Sequence, residues 1–129
     1  MLFFDVYNMK KIKKIKVAFI YKKSNPFLTG NHFDNTTYDF FMKALSRNDY
    51  LDVSYFNAEK SFDTTKLKGK CDVVLLSDNH SYGTPDELQG ICNLNVPVIS
   101  RVGDPHDAKA KQKIAFHEKY KIDYYFNFM

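Results

Sequence analysis

Five apolar runs, set between polar stretches, organise this chain. Ile15-Lys16-Val17-Ala18-Phe19-Ile20-Tyr21 has a continuous apolar centre. Such a run suits a strand covered on both faces. Leu51-Asp52-Val53-Ser54-Tyr55-Phe56 alternates instead, which places it nearer a sheet edge. Asp72-Val73-Val74-Leu75-Leu76-Ser77 and Val96-Pro97-Val98-Ile99-Ser100-Arg101-Val102 are further β-branched runs. Asp123-Tyr124-Tyr125-Phe126-Asn127-Phe128 is the last.

Helical signals fall between these runs. Thr36 with Asp39 approximates a capping box, and Phe40, Phe41, Ala44 and Leu45 follow at helical spacing. Ala58 to Gly69 is polar and only weakly helical. Thr84-Pro85-Asp86-Glu87 reads as a capped helix start, with Cys92 near that helix's end. Asp104 or Pro105 opens the longest predicted helix, which runs to about Tyr120. Ala108, Ala110, Ile114, Ala115 and Phe116 are available for its packing, and His117 falls on its surface.

Alternating strands and helices imply an α/β fold: a three-layer, Rossmann-like domain with a five-stranded parallel sheet. Right-handed crossovers leave strand orders 3-2-1-4-5 and 2-1-3-4-5, and the first is the favoured one. The expected division is a basic extension over residues 1–14 and one domain over 15–129. A chain that finishes on a strand reads as the N-terminal half of a longer, two-domain protein.

Composition narrows the class. With 129 residues, 44% of them hydrophobic, the chain can bury one ordinary core. The net charge of +4 is concentrated at Lys10, Lys11, Lys13, Lys14 and Lys16. That cluster reads first as a solvated lead-in to the first strand. It also offers peripheral contact with an anionic membrane. No nucleic-acid motif is present, and the basic residues are not interleaved with aromatics. Cys71 and Cys92 match no zinc or redox spacing and read as small buried hydrophobes of a reduced, cytoplasmic protein. Asn35-Thr36-Thr37 fits a glycosylation sequon, but no secretory signal accompanies it.

The polar residues gather in the loops that follow strands. The first strand leads to Gly30, Asn31 and His32, the third to Asp78, Asn79 and His80, and the fourth to Asp104, His106 and Asp107. All strand-to-helix loops of a parallel sheet share one edge, where ligands of open α/β sheets bind. Each residue also has a structural reading. Asp104 can cap the last helix, and Asp78 and Asn79 can shape a turn. His32 and His80 can bond their own loops, and His106 can stand exposed without a task.

Several chemistries fail on spacing. The histidines and aspartates lack the short paired spacing of a zinc hydrolase, so no metal and no cofactor is expected. The first loop has one glycine where a dinucleotide or phosphate loop needs several. No G-x-S-x-G elbow occurs. Tyr21-Lys22-Lys23 supplies no acidic pair for the Mg²⁺ of a phospho-receiver.

Four segments carry a family resemblance. Lys16-Val17-Ala18-Phe19-Ile20-Tyr21 with its glycine-bearing loop resembles the opening strand and acceptor-side loop of GT-B glycosyltransferases. Cys71-Asp72-Val73-Val74-Leu75-Leu76-Ser77 resembles their D-V-V-L strand. Val96-Pro97-Val98-Ile99-Ser100-Arg101-Val102-Gly103-Asp104-Pro105-His106 resembles the strand that feeds their inter-domain cleft, and Asp123-Tyr124-Tyr125-Phe126 the D-Y-x-F strand after it. The likeness covers roughly residues 15 to 128.

The resemblance implies an acceptor-binding N-terminal domain. His106 or Asp104 would lie by the acceptor hydroxyl and take its proton, and imidazole is poised for that near neutral pH. Gly30, Asn31, His32, Asp78, Asn79 and His80 would line the acceptor pocket. The nucleotide-sugar donor would be held by a C-terminal domain that these 129 residues lack, so the chain alone is expected to be inactive. The acceptor would be a sugar, a lipid or a polysaccharide. A stand-alone α/β module that recognises a protein partner, receiver-like or flavodoxin-like, is the alternative.

Overall fold

The computed structural model describes residues 13–22, 40–77, 83–101 and 118–126, with residues 40–43 as backbone. Its main sheet is parallel and five-stranded. The strands are β1 (Ile15–Tyr21), β2 (Leu51–Asn57), β4 (Val73–Leu76), β6 (Val98–Arg101) and β7 (Tyr124–Phe126). Two three-residue strands, β3 (Ser61–Asp63) and β5 (Glu87–Gln89), pair in parallel as a second, small sheet. The α/β class and the five-stranded parallel sheet match the reading of the apolar runs.

The order across the main sheet is β2-β1-β4-β6-β7. Numbered by its own five strands, that is 2-1-3-4-5, the second of the two orders and not the favoured 3-2-1-4-5. The crossover from β2 passes over β1 and returns beside it at β4. The strand Ser61–Asp63 does not add outside β2 but pairs with Glu87–Gln89. It buries Phe62 in the second layer.

Among the described residues, the sheet's two faces are unequally covered. On one face Ala18, Ile20, Val74, Leu76 and Val98 meet Phe62, Leu67, Leu88, Ile91, Leu94, Tyr120 and Ile122. Right-handed crossovers explain this, because β2→β4, β4→β6 and β6→β7 all move the same way across the sheet. The β1→β2 crossover moves the other way. Its helix α1 (Phe40–Arg47) lies on the opposite face, where Leu45 packs against the cluster of Val17, Phe19 and Leu75. Leu45 keeps its predicted core role, but Ala44 is exposed. Arg47 sits in the last turn of α1, where a cation complements the helix dipole.

The predicted helix from Thr84 is not formed. Thr84 and Pro85 are buried, and the chain continues as β5 and a 3-10 turn at Ile91–Asn93. Gly90 is the physical reason. It adopts φ +77°, which no helix interior allows, and an added Cβ would stand 2.9 Å from Thr65 Cγ2. The stretch from Ala58 to Gly69 likewise holds β3 and a 3-10 helix, Thr64–Leu67, in place of weak α-helix. Asp63 caps that turn by accepting from the Thr65 amide at 3.0 Å. The end of the last predicted helix is confirmed: residues 118–120 are helical, and Lys121 stops them with φ +49°.

Neither cysteine is a buried hydrophobe. Cys71 is half-buried, and Cys92 is exposed on the 3-10 turn. Burial pushes the Cys71 thiol up, and the Asp72 carboxylate beside it adds to the shift. Lys13, Lys14 and Lys16 are exposed, as a solvated lead-in requires. No helix among the described residues is long and apolar enough to cross a membrane.

Candidate functional site

The carboxyl ends of β1, β4 and β6 stand side by side, because these strands are neighbours in the sheet. At about 4.8 Å between strands, the three exits span about 10 Å. The direction in which successive strands are added reverses between β1 and β4, which makes that parallel pair the topological switch point.

Backbone bonds close the rim at this point. The Ser77 amide donates to the Ile20 carbonyl at 3.2 Å, which ties the end of β4 to β1. Both the Lys22 amide, at 3.0 Å, and the Ser77 hydroxyl donate to the Gly83 carbonyl. Ser77 and Gly83 therefore pin both ends of the 78–82 segment to the switch point. Lys22 Nζ reaches Asp86 Oδ1 at 2.8 Å, with the lysine side chain 12% exposed. The two charges compensate each other, and this pair fixes the segment that follows Gly83. Thr84, two positions before Asp86, is wholly buried. On β6, Ser100 is buried and its hydroxyl donates to the Arg101 carbonyl at 3.1 Å.

All eight residues expected to form the site lie outside the described residues. These are Gly30, Asn31, His32, Asp78, Asn79, His80, Asp104 and His106. Asn35-Thr36-Thr37, Lys10 and Lys11 lie outside them too. What the structure provides is the set of strand ends that precede them. Ser77 stands directly before Asp78, and Arg101 lies three positions before Asp104. Among the described residues, no group of three or more His, Cys, Asp or Glu could hold a metal ion.

Lys22, Ser77, Gly83 and Asp86 were not among the expected site residues. Ser77 was legible as a hydroxyl ending a buried run. The Lys22–Asp86 pair, 64 positions apart in sequence, left no local signal.

Two aspartates of the resembling segments have structural work. Asp72 accepts the Lys16 amide at 2.8 Å, while its own amide donates to the Lys16 carbonyl at 2.8 Å. Asp123 repeats this on Val98, at 2.7 Å and 2.9 Å. In both cases the aspartate precedes a strand and starts its ladder with the neighbour. The carboxylate takes an amide at the opening of the ladder. Comparison with protein-family models, curated proteins and solved structures finds no match to this chain.

Proposed function

We propose that this chain is the acceptor-binding N-terminal domain of a GT-B-fold glycosyltransferase. One observation carries the reading. The D-V-V-L strand β4 lies between β1 and the P-V-I-S-R strand β6, and all three end at the same edge of the sheet. The three loops that hold the acceptor-side residues therefore leave from adjacent points. In this reading His106 takes the acceptor hydroxyl proton, with Asp104 beside it. Gly30, Asn31, His32, Asp78, Asn79 and His80 line the acceptor pocket. The nucleotide-sugar binds a separate donor domain, and the 129 residues alone turn nothing over.

A second reading has its own support. The order 2-1-3-4-5 is that of flavodoxin-like and receiver-like domains. In that reading the same rim recognises a protein partner without catalysis.

Saturation-transfer NMR with a panel of neutral mono- and disaccharides separates the two. The acceptor reading expects saccharide signals that His106→Ala and Asp104→Ala weaken, and no turnover of UDP-glucose or GDP-mannose by the chain alone. A folded chain that gives no saccharide signal sinks the acceptor reading and leaves the second.

A further inference from the structure

A groove on the β1–β2 face has no role in either reading. The crossover from β2 to β4 contains only β3 and one 3-10 turn. Among the described residues, so short a layer leaves a gap on the β1–β2 face. The gap is a groove of about 260 Å³ that runs from Lys16, near the start of β1, to Phe56, opposite Ile20. Lys16, Lys66 and Lys70 line it, together with Asp52, Phe56 and Leu67. Lys16 and the candidate rim at Tyr21 are five positions apart along β1, about 17 Å at strand rise.

Charge in the groove is unbalanced. Among the described residues, neither Lys16 nor Lys70 forms an ion pair, and Asp52 forms none either. The Lys16 backbone is held at both its amide and its carbonyl by Asp72, which fixes where its side chain starts. Lys66 Nζ stands 5.7 Å from the centre of the Phe62 ring, a cation–π distance. Among the lining residues three ammonium groups stand against one carboxylate, with Asp63 near Lys66 and Asp72 on the Lys16 amide just outside, while Phe56 and Leu67 are apolar. The three lysines come from two distant parts of the chain, so the fold assembles this charge.

We propose that this groove binds a phosphate monoester carried on a small organic group. A dianionic phosphate matches the cationic surplus through charge-assisted hydrogen bonds, and the apolar residues cover its carrier. The volume lies just below the usual range for drug-sized ligands, which fits a nucleoside monophosphate or something smaller. The same chemistry also exists in the headgroup of a phosphatidic-acid lipid.

Two titrations of the full chain test this. One adds AMP and follows backbone amides by NMR. The other measures co-sedimentation with phosphatidylcholine vesicles doped with phosphatidic acid. Saturable shifts at Lys16, Asp52 and Lys70 with AMP identify a soluble ligand, and binding to the doped vesicles alone identifies a headgroup. In either case Lys16→Ala with Lys70→Ala should weaken binding about tenfold or more, and arginine at both positions should restore it. These side chains are exposed, so the variants keep the fold. No saturable binding to either probe, or binding that the double alanine variant leaves unchanged, overturns the proposal.

Discussion

The hydroxyl of Tyr120 stands in for a missing strand along the open edge of Leu88. It accepts the Leu88 amide at 3.2 Å and donates to the Asp86 carbonyl at 2.7 Å. One side chain thus satisfies a donor and an acceptor at the start of β5. It also joins the end of the last helical segment to the second layer. Lys119, next to it, reaches Glu87 Oε1 at 2.7 Å on the surface.

Tyr120→Phe removes both bonds and keeps the ring. Leu88 is buried, so its amide then has no partner and no ready access to water. The expected loss is about 1–3 kcal/mol, the cost of an unsatisfied buried group. Urea unfolding should show a lower midpoint with an unchanged slope. Lys119→Ala, which breaks an exposed pair, should move the midpoint far less.

Gly90 and Gly69 share a left-handed backbone, at φ +77° and +71°, but not the same surroundings. Nothing lies within 4 Å of a Cβ added at Gly69, whereas at Gly90 it would meet Thr65 Cγ2 at 2.9 Å. Gly69→Ala should cost only the conformational penalty, about 1–2 kcal/mol. Gly90→Ala should cost about 1 kcal/mol or more beyond that, because Thr65 must shift. Equal losses in thermal or urea unfolding would contradict the tight contact.

Asp63 gives the fold an acid-sensitive element. Its carboxylate accepts from Thr65 Oγ1 at 2.6 Å and from the Thr65 amide at 3.0 Å. The side-chain bond first, and the backbone bond second, hold its pKa below the ordinary carboxylate value. The unfolded chain therefore binds the proton more readily than the folded one. The stabilisation is complete above the unfolded value, about pH 4, and is lost as pH falls through the lower folded value. Asp63→Asn keeps an oxygen for the cap and removes the titration. Its urea midpoint should fall less steeply than that of the parent chain below about pH 4.

The five main strands were legible because each lies within a longer apolar run, even where, as in β7, the strand itself is largely exposed. Continuous runs marked the interior of β1 and β4, and alternation in Leu51–Asn57 marked an edge strand. β3 and β5 were not legible, since neither three-residue strand lies in a longer apolar run. Thr84-Pro85-Asp86-Glu87 has every local helix-start signal, yet tertiary contacts override it. Thr84 is buried, Asp86 pairs with Lys22, and Gly90 turns the chain away. Strand order was reduced to two choices, and the decision lay in a crossover whose direction no local pattern records. Of the site, the shared edge was legible from strand direction alone. The pinning of Gly83 was not, because the Lys22 amide bonds it from 61 positions away.

Ser77 offers the most direct handle on the candidate rim. Its side chain is buried, and its hydroxyl holds the Gly83 carbonyl that the Lys22 amide also holds. Ser77→Ala removes one of these two donors and leaves the backbone bond to Ile20 in place. Global stability should therefore drop modestly, by about 0.5–1.5 kcal/mol, the usual worth of one such bond. The local effect should be larger, because the segment between Ser77 and Gly83 is anchored at those two residues. Hydrogen exchange should accelerate at the Lys22 amide, whose acceptor loses its second tether. If Asp78, Asn79 and His80 contact a saccharide, binding should weaken in Ser77→Ala even though none of the three is altered. Unchanged exchange at Lys22 would show that the backbone alone fixes Gly83. The hydroxyl would then serve only to satisfy a buried carbonyl.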